Sequence, residues 1–207
     1  MYIPAAFQLS DRAVLHEFVR THSFAVMAGV IGGEIHLAYA PTLFITDSGH
    51  GRVQFHLARA NPMAALEDGQ PAKVSFMGPH SYISPNWYKS SQVPTWNYLA
   101  AEGSGPVRRL NTEELRRQLT ALAAQHEAYA APDNRWSPEK LNPEQMTALL
   151  KAIVGFEVEL VSLEGKLKLS QNKSQADIAG AIAGLEKSND EASRAIAAVM
   201  RKYALQG

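Results

Sequence analysis

Four short runs rich in β-forming residues, at 24–30, 34–39, 42–46 and 52–57, are divided by Gly32-Gly33 and by Asp47-Ser48-Gly49-His50-Gly51. Turn chemistry at such close intervals leaves no run long enough for a stable helix, so this stretch is restricted to short antiparallel strands. An antiparallel meander is the expectation. Upstream the period is different. Ser10 stands as a helix N-cap with Leu9 and Val14 as a hydrophobic staple, and Val14, Leu15, Phe18 and Val19 make one apolar stripe, which predicts a helix over 11–21. Downstream, Asn61-Pro62 offers an N-cap and an N1 proline, which predicts a two-turn helix through about Asp68. Strands are expected again at 72–77, 81–84 and 95–102.

The second half opens helically. Asn111 with Glu114, and Asn142 with Gln145, are cap and N3 pairs, each flanked by a staple: Leu110 with Leu115, and Leu141 with Met146. The segment 131–143 reads as a loop. At 153–163, Val154, Phe156, Val158 and Leu160 alternate with Glu157 and Glu159, as in one long strand with a wet face. Two helices close the chain. One is capped at Ser174 and buries Ile178, Ile182 and Leu185. The other starts at Ser188 with Glu191 at N3 and buries Ile196, Val199, Met200 and Tyr203. Strands around a short helix, followed by helices and one returning strand, define an α+β barrel. Because 153–163 completes the sheet begun upstream, 1–207 is read as one domain with a C-terminal helical extension at about 174–207.

Composition excludes several functions. With no cysteine, disulfides, thiolate catalysis, iron–sulfur clusters and Cys-ligated zinc are ruled out. Lys plus Arg equals Asp plus Glu at 20 each, so the chain as a whole lacks the basic footprint of a duplex-binding domain. Met1-Tyr2-Ile3-Pro4 is not a signal-peptide start, and no apolar stretch is long enough to span a bilayer. A soluble cytoplasmic protein is the expectation. No His-Glu-x-x-His or comparable metal motif occurs.

Three clusters carry chemistry. In Phe55-His56-Leu57-Ala58-Arg59-Ala60-Asn61-Pro62, a strand delivers a histidine and an arginine to a predicted helix start. Unpaired N–H groups there and a guanidinium nearby suit a phosphomonoester; the plainer reading has Arg59 on the surface and His56 packed on the sheet. Residues 78–98 hold two tryptophans, three tyrosines, one histidine and three prolines. They are either a stacking surface for a planar ring or the filling of a core or subunit interface. Glu164-Gly165-Lys166-Leu167-Lys168-Leu169-Ser170-Gln171-Asn172-Lys173 combines three lysines with amides and a hydroxyl. That suits phosphate and ring carbonyls, or else a solvated strand exit.

Together these clusters resemble the PaiB family of bacterial FMN-binding negative regulators of transcription. The resemblance rests on five ordered motifs: His-x-x-Arg-Ala-Asn-Pro at 56–62, Gly-Pro-His-x-Tyr-Ile-Ser-Pro-x-Trp-Tyr at 78–88, Val-Pro-Thr-Trp-Asn-Tyr at 93–98, Val-Gly-Phe-Glu at 154–157 and Glu-Gly-Lys-x-Lys-Leu-Ser-Gln-Asn at 164–172. The opening Met1-Tyr2-Ile3-Pro4 with Phe7 fits too. Two places depart: His36-Leu37-Ala38-Tyr39 stands where the family tends to read His-Leu-Pro-Leu, and Leu167 stands where it has Phe. The resemblance implies an antiparallel split β-barrel that binds FMN at a homodimer interface. It places His56, Leu57, Ala58, Arg59 and Asn61 at the phosphate end, with Trp96, Asn97, Lys168 and Gln171 as further flavin contacts, reaching in from the other subunit. A DNA or regulatory-protein partner also follows only from the resemblance. A terminal helix pair could suggest a helix-turn-helix, but its second helix is Ala-rich, with Arg194, Arg201 and Lys202 as its donors. The fold analogy also leaves open an FMN-dependent oxidoreductase, similar to pyridoxamine-phosphate oxidases or flavin reductases, or a haem-binding protein.

Overall fold

The computed structural model describes residues 1–47 and 49–205. Ser48 of the 47–51 turn and the last two residues of the C-terminal extension lie outside the described residues. Contacts gather the chain into two compact units. The first comprises Met1–Phe18, Met77–Ala101 and Glu164–Gly207, and the second Val19–Phe76 and Glu102–Leu163.

The second unit is built on strands. β1 (Phe24–Ile31) and β2 (Glu34–Pro41) form a hairpin closed at Gly32-Gly33. Both glycines hold positive φ, 60° and 88°, as a two-residue turn matched to strand twist requires. β3 (Leu43–Ile45) pairs with β4 (Arg52–Ala58). With β5 (Pro71–Ile83) and β6 (Thr95–Arg109), each of which runs through both units, and β7 (Ile153–Glu159), the strand order is β2-β1-β5-β6-β7-β4-β3. The expected meander is therefore corrected: the two hairpins stand at opposite ends of the order, because β1 pairs with β5 and β4 with β7. Val53, Phe55 and Leu57 of β4 point into the core, where the Phe55 ring stacks on Phe156 at 5.5 Å. Two helices belong to this unit, α2 (Thr112–Glu127) and α3 (Pro143–Ala152), and both expected capping boxes form.

In the first unit β8 (Ser162–Lys168) pairs with β6, and α4 (Gln175–Glu186) packs with α5 (Glu191–Tyr203). Ile178, Ile182, Leu185, Ile196 and Met200 are buried between them and the strands. Ser174 caps α4, as expected, by accepting from Asp177 N–H. The helix α1 (Arg12–Thr21) follows a single 3-10 turn at Ala5–Phe7.

Five local expectations change. Asp11, not Ser10, caps α1, its Oδ1 accepting from Ala13 and Val14 N–H; a carboxylate there also meets the positive helix end. Asp190, not Ser188, caps α5 by accepting from Ser193 N–H. The predicted helix at 62–68 is a single 3-10 turn, Pro62–Ala65, since the chain turns extended at Leu66 to bury that side chain fully. The strands at 72–77 and 81–84 are one, β5, whose inward face slips by one residue at Pro79: Ala72, Val74 and Phe76 are buried before it, Ser81 and Ile83 after it. A proline without an N–H marks such a break in alternation. The strand at 153–163 divides at Leu160 and Val161, whose N–H groups go to Gly51 and Ser104 carbonyls. Among the described residues no helix is long and apolar enough to cross a membrane.

One close approach decides where the aromatic loop goes. The Trp87 ring lies on α4 at Gly184, where a Cβ would come within 2.2 Å of it, and the Trp87 carbonyl lies over Gly180. Gly184→Ala gains about 1 kcal/mol of helix propensity but overpacks the ring at a cost of about 1–3 kcal/mol. The net is a lower melting temperature, by roughly 2–4 °C per kcal/mol for a chain of this size. In a Trp87→Ala background the same substitution is expected to raise it. Thermal unfolding of the four-member cycle checks this.

Candidate functional site

Alternation along β4 sets the first half of the candidate set, all within the second unit. Leu57 faces the core at 4% exposure, and Ala58 is exposed. His56, half-buried, points the other way and meets α2, its Nδ1 3.2 Å from Gln118 Oε1. Burial lowers the His56 pKa and the Gln118 hydrogen bond only partly opposes it, so the ring is neutral near pH 7. Arg59 is exposed, yet its Nε and Nη2 donate to the carbonyls of Lys151 and Ile153, both at 2.9 Å, at the end of α3. Asn61 accepts from Met63 N–H at 2.9 Å. The predicted helix N-terminus is absent here, since one 3-10 turn carries no useful macrodipole. What remains for a phosphate is the Arg59 charge. Its partners are neutral carbonyls, and it forms no ion pair among the described residues, so its charge is uncompensated and further N–H donors remain.

The same face of β4 carries a network that sequence reasoning missed. Glu157 was expected on a wet face, but it is 5% exposed. It accepts from Gln54 Nε2 at 2.7 Å, Arg52 at 3.0 Å and Arg108 at 2.9 Å. Arg52 also binds Asp47, and Arg108 holds both oxygens of Glu114, the N3 residue of the α2 capping box. Burial alone would raise the Glu157 pKa. The bonds from Gln54 and Arg108, with the fields of both guanidiniums, outweigh it and hold the carboxyl below its ordinary value. A cavity of about 350 Å³ beside this network is lined by Leu43, Ile45, Arg52, Gln54, Arg117 and Gln118, among others. The cross-strand register Gln54↔Glu157 was the available signal, and it needed the β4–β7 pairing to be known.

The other candidates fall in the first unit. Trp96 is 52% exposed and lies between His80, at 6.1 Å, and Tyr82, edge-on at 6.3 Å. Lys168 Nζ donates to the Trp96 carbonyl at 2.7 Å and to Thr95 Oγ1. Its pKa is lowered by burial and by Lys166 and Lys173. Asn97 is fully buried and bonds Ser170 and Met200. Both ends of the Gln171 amide are used locally, Nε2 on the Leu167 carbonyl and Oε1 on Leu169 N–H. Asn97 and Gln171 therefore position the turn after β8, while Trp96 and Lys168 face outward. The aromatic segment divides likewise: Trp87 packs on α4 and Tyr88 is buried, whereas Tyr82 and Trp96 are exposed. On α5, Arg201 is held by both oxygens of Glu186 and Arg194 donates to the Ser188 carbonyl. Those donors are engaged within the helix pair and are poor candidates for a recognition helix.

Residues 1–162 match the family described as "Putative FMN-binding domain". The chain belongs to this FMN-binding family. It is also 31% identical, over 97% of its length and 96% of the relative's, to "Protease synthase and sporulation protein PAI 2" of Bacillus subtilis (strain 168), which places it with the PaiB proteins. A relative from Emericella nidulans, "Uncharacterized protein AN0679", is 27% identical over 98% of the chain and 97% of its own length. Among solved structures, the "FAD and Heme binding protein from Mycobacterium smegmatis" aligns with a TM-score of 0.60 at 20% identity, covering 78% of this chain and 73% of that one. The fold is thus the α+β antiparallel split barrel, and FMN is the cofactor of the family.

The network around Glu157 gives a pH dependence. Its folded-state pKa is depressed, so its contribution to stability is present above the unfolded carboxylate value and is lost as pH falls through the folded value. Glu157→Gln should cost about 1–3 kcal/mol at pH 7, and its stability should fall less between pH 7 and acid than that of the native protein. Urea unfolding across that range measures both.

Proposed function

We propose that this protein is a homodimeric, FMN-binding regulator of the PaiB type that lowers transcription in the cytoplasm through a protein partner. The observation that carries the flavin part is the match to the FMN-binding family, with an exposed arginine that no carboxylate pairs among the described residues. Arg59 would hold the phosphate, with His56 and Asn61 shaping the chain around it. FMN supplies redox chemistry when bound; this chain's residues supply its binding and orientation. The regulatory part is supported by the likeness to the B. subtilis protein. Action through a partner is favoured because the chain carries equal numbers of basic and acidic residues and the α5 arginines are already engaged.

Dimerisation is supported by the β1–β2 hairpin. Ile35, Leu37 and Tyr39 recur on one face of β2 at 77%, 56% and 64% exposure, and β1 adds Phe24 at 68% and Val30, directly opposite Ile35, at 47%. Contiguous apolar surface of this kind on a terminal strand marks an association site. A second copy would cover it.

Arg59→Ala tests the flavin reading. Loss of an arginine–phosphate contact should cost about 1.5–3 kcal/mol, a weakening of roughly ten- to hundredfold for FMN. Riboflavin lacks the phosphate and should bind almost unchanged. Because Arg59 also caps α3, a purely structural role would weaken both ligands equally, and that result would overturn the assignment.

A further inference from the structure

Three ammonium groups lie together in the first unit, and among the described residues none has an ion-pair partner. Lys166, 8% exposed, donates to the Tyr2 carbonyl at 3.0 Å and lies 5.3 Å from the centre of the Tyr98 ring. Lys168, half-buried, is held by Thr95 and the Trp96 carbonyl. Lys173, also half-buried, donates to Gln92 Oε1 and lies over the Tyr88 ring at 6.0 Å. All of these partners are neutral. Among the described residues none of the three lysines is ion-paired, and the acid nearest in sequence to Lys173 is already committed. That acid, Asp177, accepts from Lys89 N–H, Ser90 N–H and the hydroxyls of Ser90 and Ser174. The cations are close enough that Lys166 and Lys173 depress Lys168.

Partly buried like charges repel, and a fold gains nothing by assembling them unless something of opposite charge completes the site. Beside them stands an unused stacking surface. The Trp96 carbonyl accepts from Lys168 while its ring is half-exposed, flanked by Tyr82 and by His80. His80 Nδ1 is 3.3 Å from the Gly78 carbonyl. With the proton on Nδ1, Nε2 is left as an acceptor.

We propose that Lys168 and Lys173, with Trp96 as the stacking platform, bind a nucleoside diphosphate as a second ligand, separate from FMN. Charge favours this over a single flavin. FMN brings one phosphate of about −1.5 to −2, already offered Arg59, whereas three further lysines call for more negative charge than that group supplies. Lysines meet a flexible diphosphate as point charges, and an aromatic face accepts any planar base. A duplex is disfavoured, because contacts to three phosphates give a salt slope of only about −3.

The experiment is calorimetric titration of FMN-saturated protein with ADP, AMP, adenosine and pyrophosphate. ADP is expected to bind at least tenfold tighter than AMP or pyrophosphate, with adenosine weaker still, and to quench tryptophan fluorescence. Trp96→Phe should remove most of that quenching. Lys173→Gln should weaken ADP about tenfold while FMN affinity changes less than twofold, and Lys168→Gln should weaken ADP as much. Lys168→Arg should restore ADP binding, which separates charge from the tether to Thr95. No ADP binding at millimolar concentration would overturn the proposal. So would parallel loss of FMN and ADP in Lys173→Gln, which would assign the lysines to the flavin, or capture of duplex DNA by these lysines without ADP binding.

Discussion

The pairing of β4 with β7 sets up the chemistry of the second unit. Its register places Phe55 opposite Phe156 and Gln54 opposite Glu157. Because side chains alternate with a period of two, the same pairing supplies an aromatic core on one face and a charged, hydrogen-bonded layer on the other. Slipping the register by one residue would exchange the two faces, which the core could not tolerate. The charged layer is therefore fixed by the core. Arg52 and Arg108 converge on Glu157, and Arg108 carries the link to the first turn of α2 through Glu114. His56 meets the same helix at Gln118. Arg59, two residues past Leu57 on the chain, then reaches the end of α3.

The first unit follows a different economy of groups. Asp177, inside the first turn of α4, gathers the loop at 89–90 with three hydrogen bonds and accepts a fourth from the Ser174 hydroxyl, and those bonds hold its carboxyl well below the usual range. Lys173 and Lys168 hold the same loop further on, at Gln92, Thr95 and Trp96. An aromatic, proline-rich segment that could be floppy is thus tied at several points. Trp87 is spent on packing against α4, and Trp96 is left in solvent. A rigid element presenting an exposed indole beside cations suits ligand capture.

Much of this was legible from residue order alone. Capping boxes at Asn111 and Asn142 formed as read, because they depend on side chains three residues apart. Strand positions in 24–58 were legible from their turns, but strand order was not, since which strand pairs with which depends on contacts far apart in sequence. The motif at 56–62 was read with a helix start that does not form: a buried Leu66 overrode the helix signal of Asn61-Pro62. Glu157 looked solvated because alternation tells which side a residue faces, not what covers that side. Asn97 and Gln171 are implied as flavin contacts by the resemblance; an amide's partners cannot be seen in sequence, and here both side chains bond within the chain.

The central claim is that the family's flavin is bound by a dimer covered along the β1–β2 face, where Ile35, Leu37 and Tyr39 are otherwise open to water. Sedimentation velocity of the FMN-loaded protein, followed at the flavin's visible absorbance at micromolar concentration, tests it most directly. The account predicts that flavin travels with a particle of twice the chain mass, and that Leu37→Lys shifts the protein to monomer with loss of flavin. Flavin sedimenting with a monomer, held as tightly as in the native protein, would contradict it.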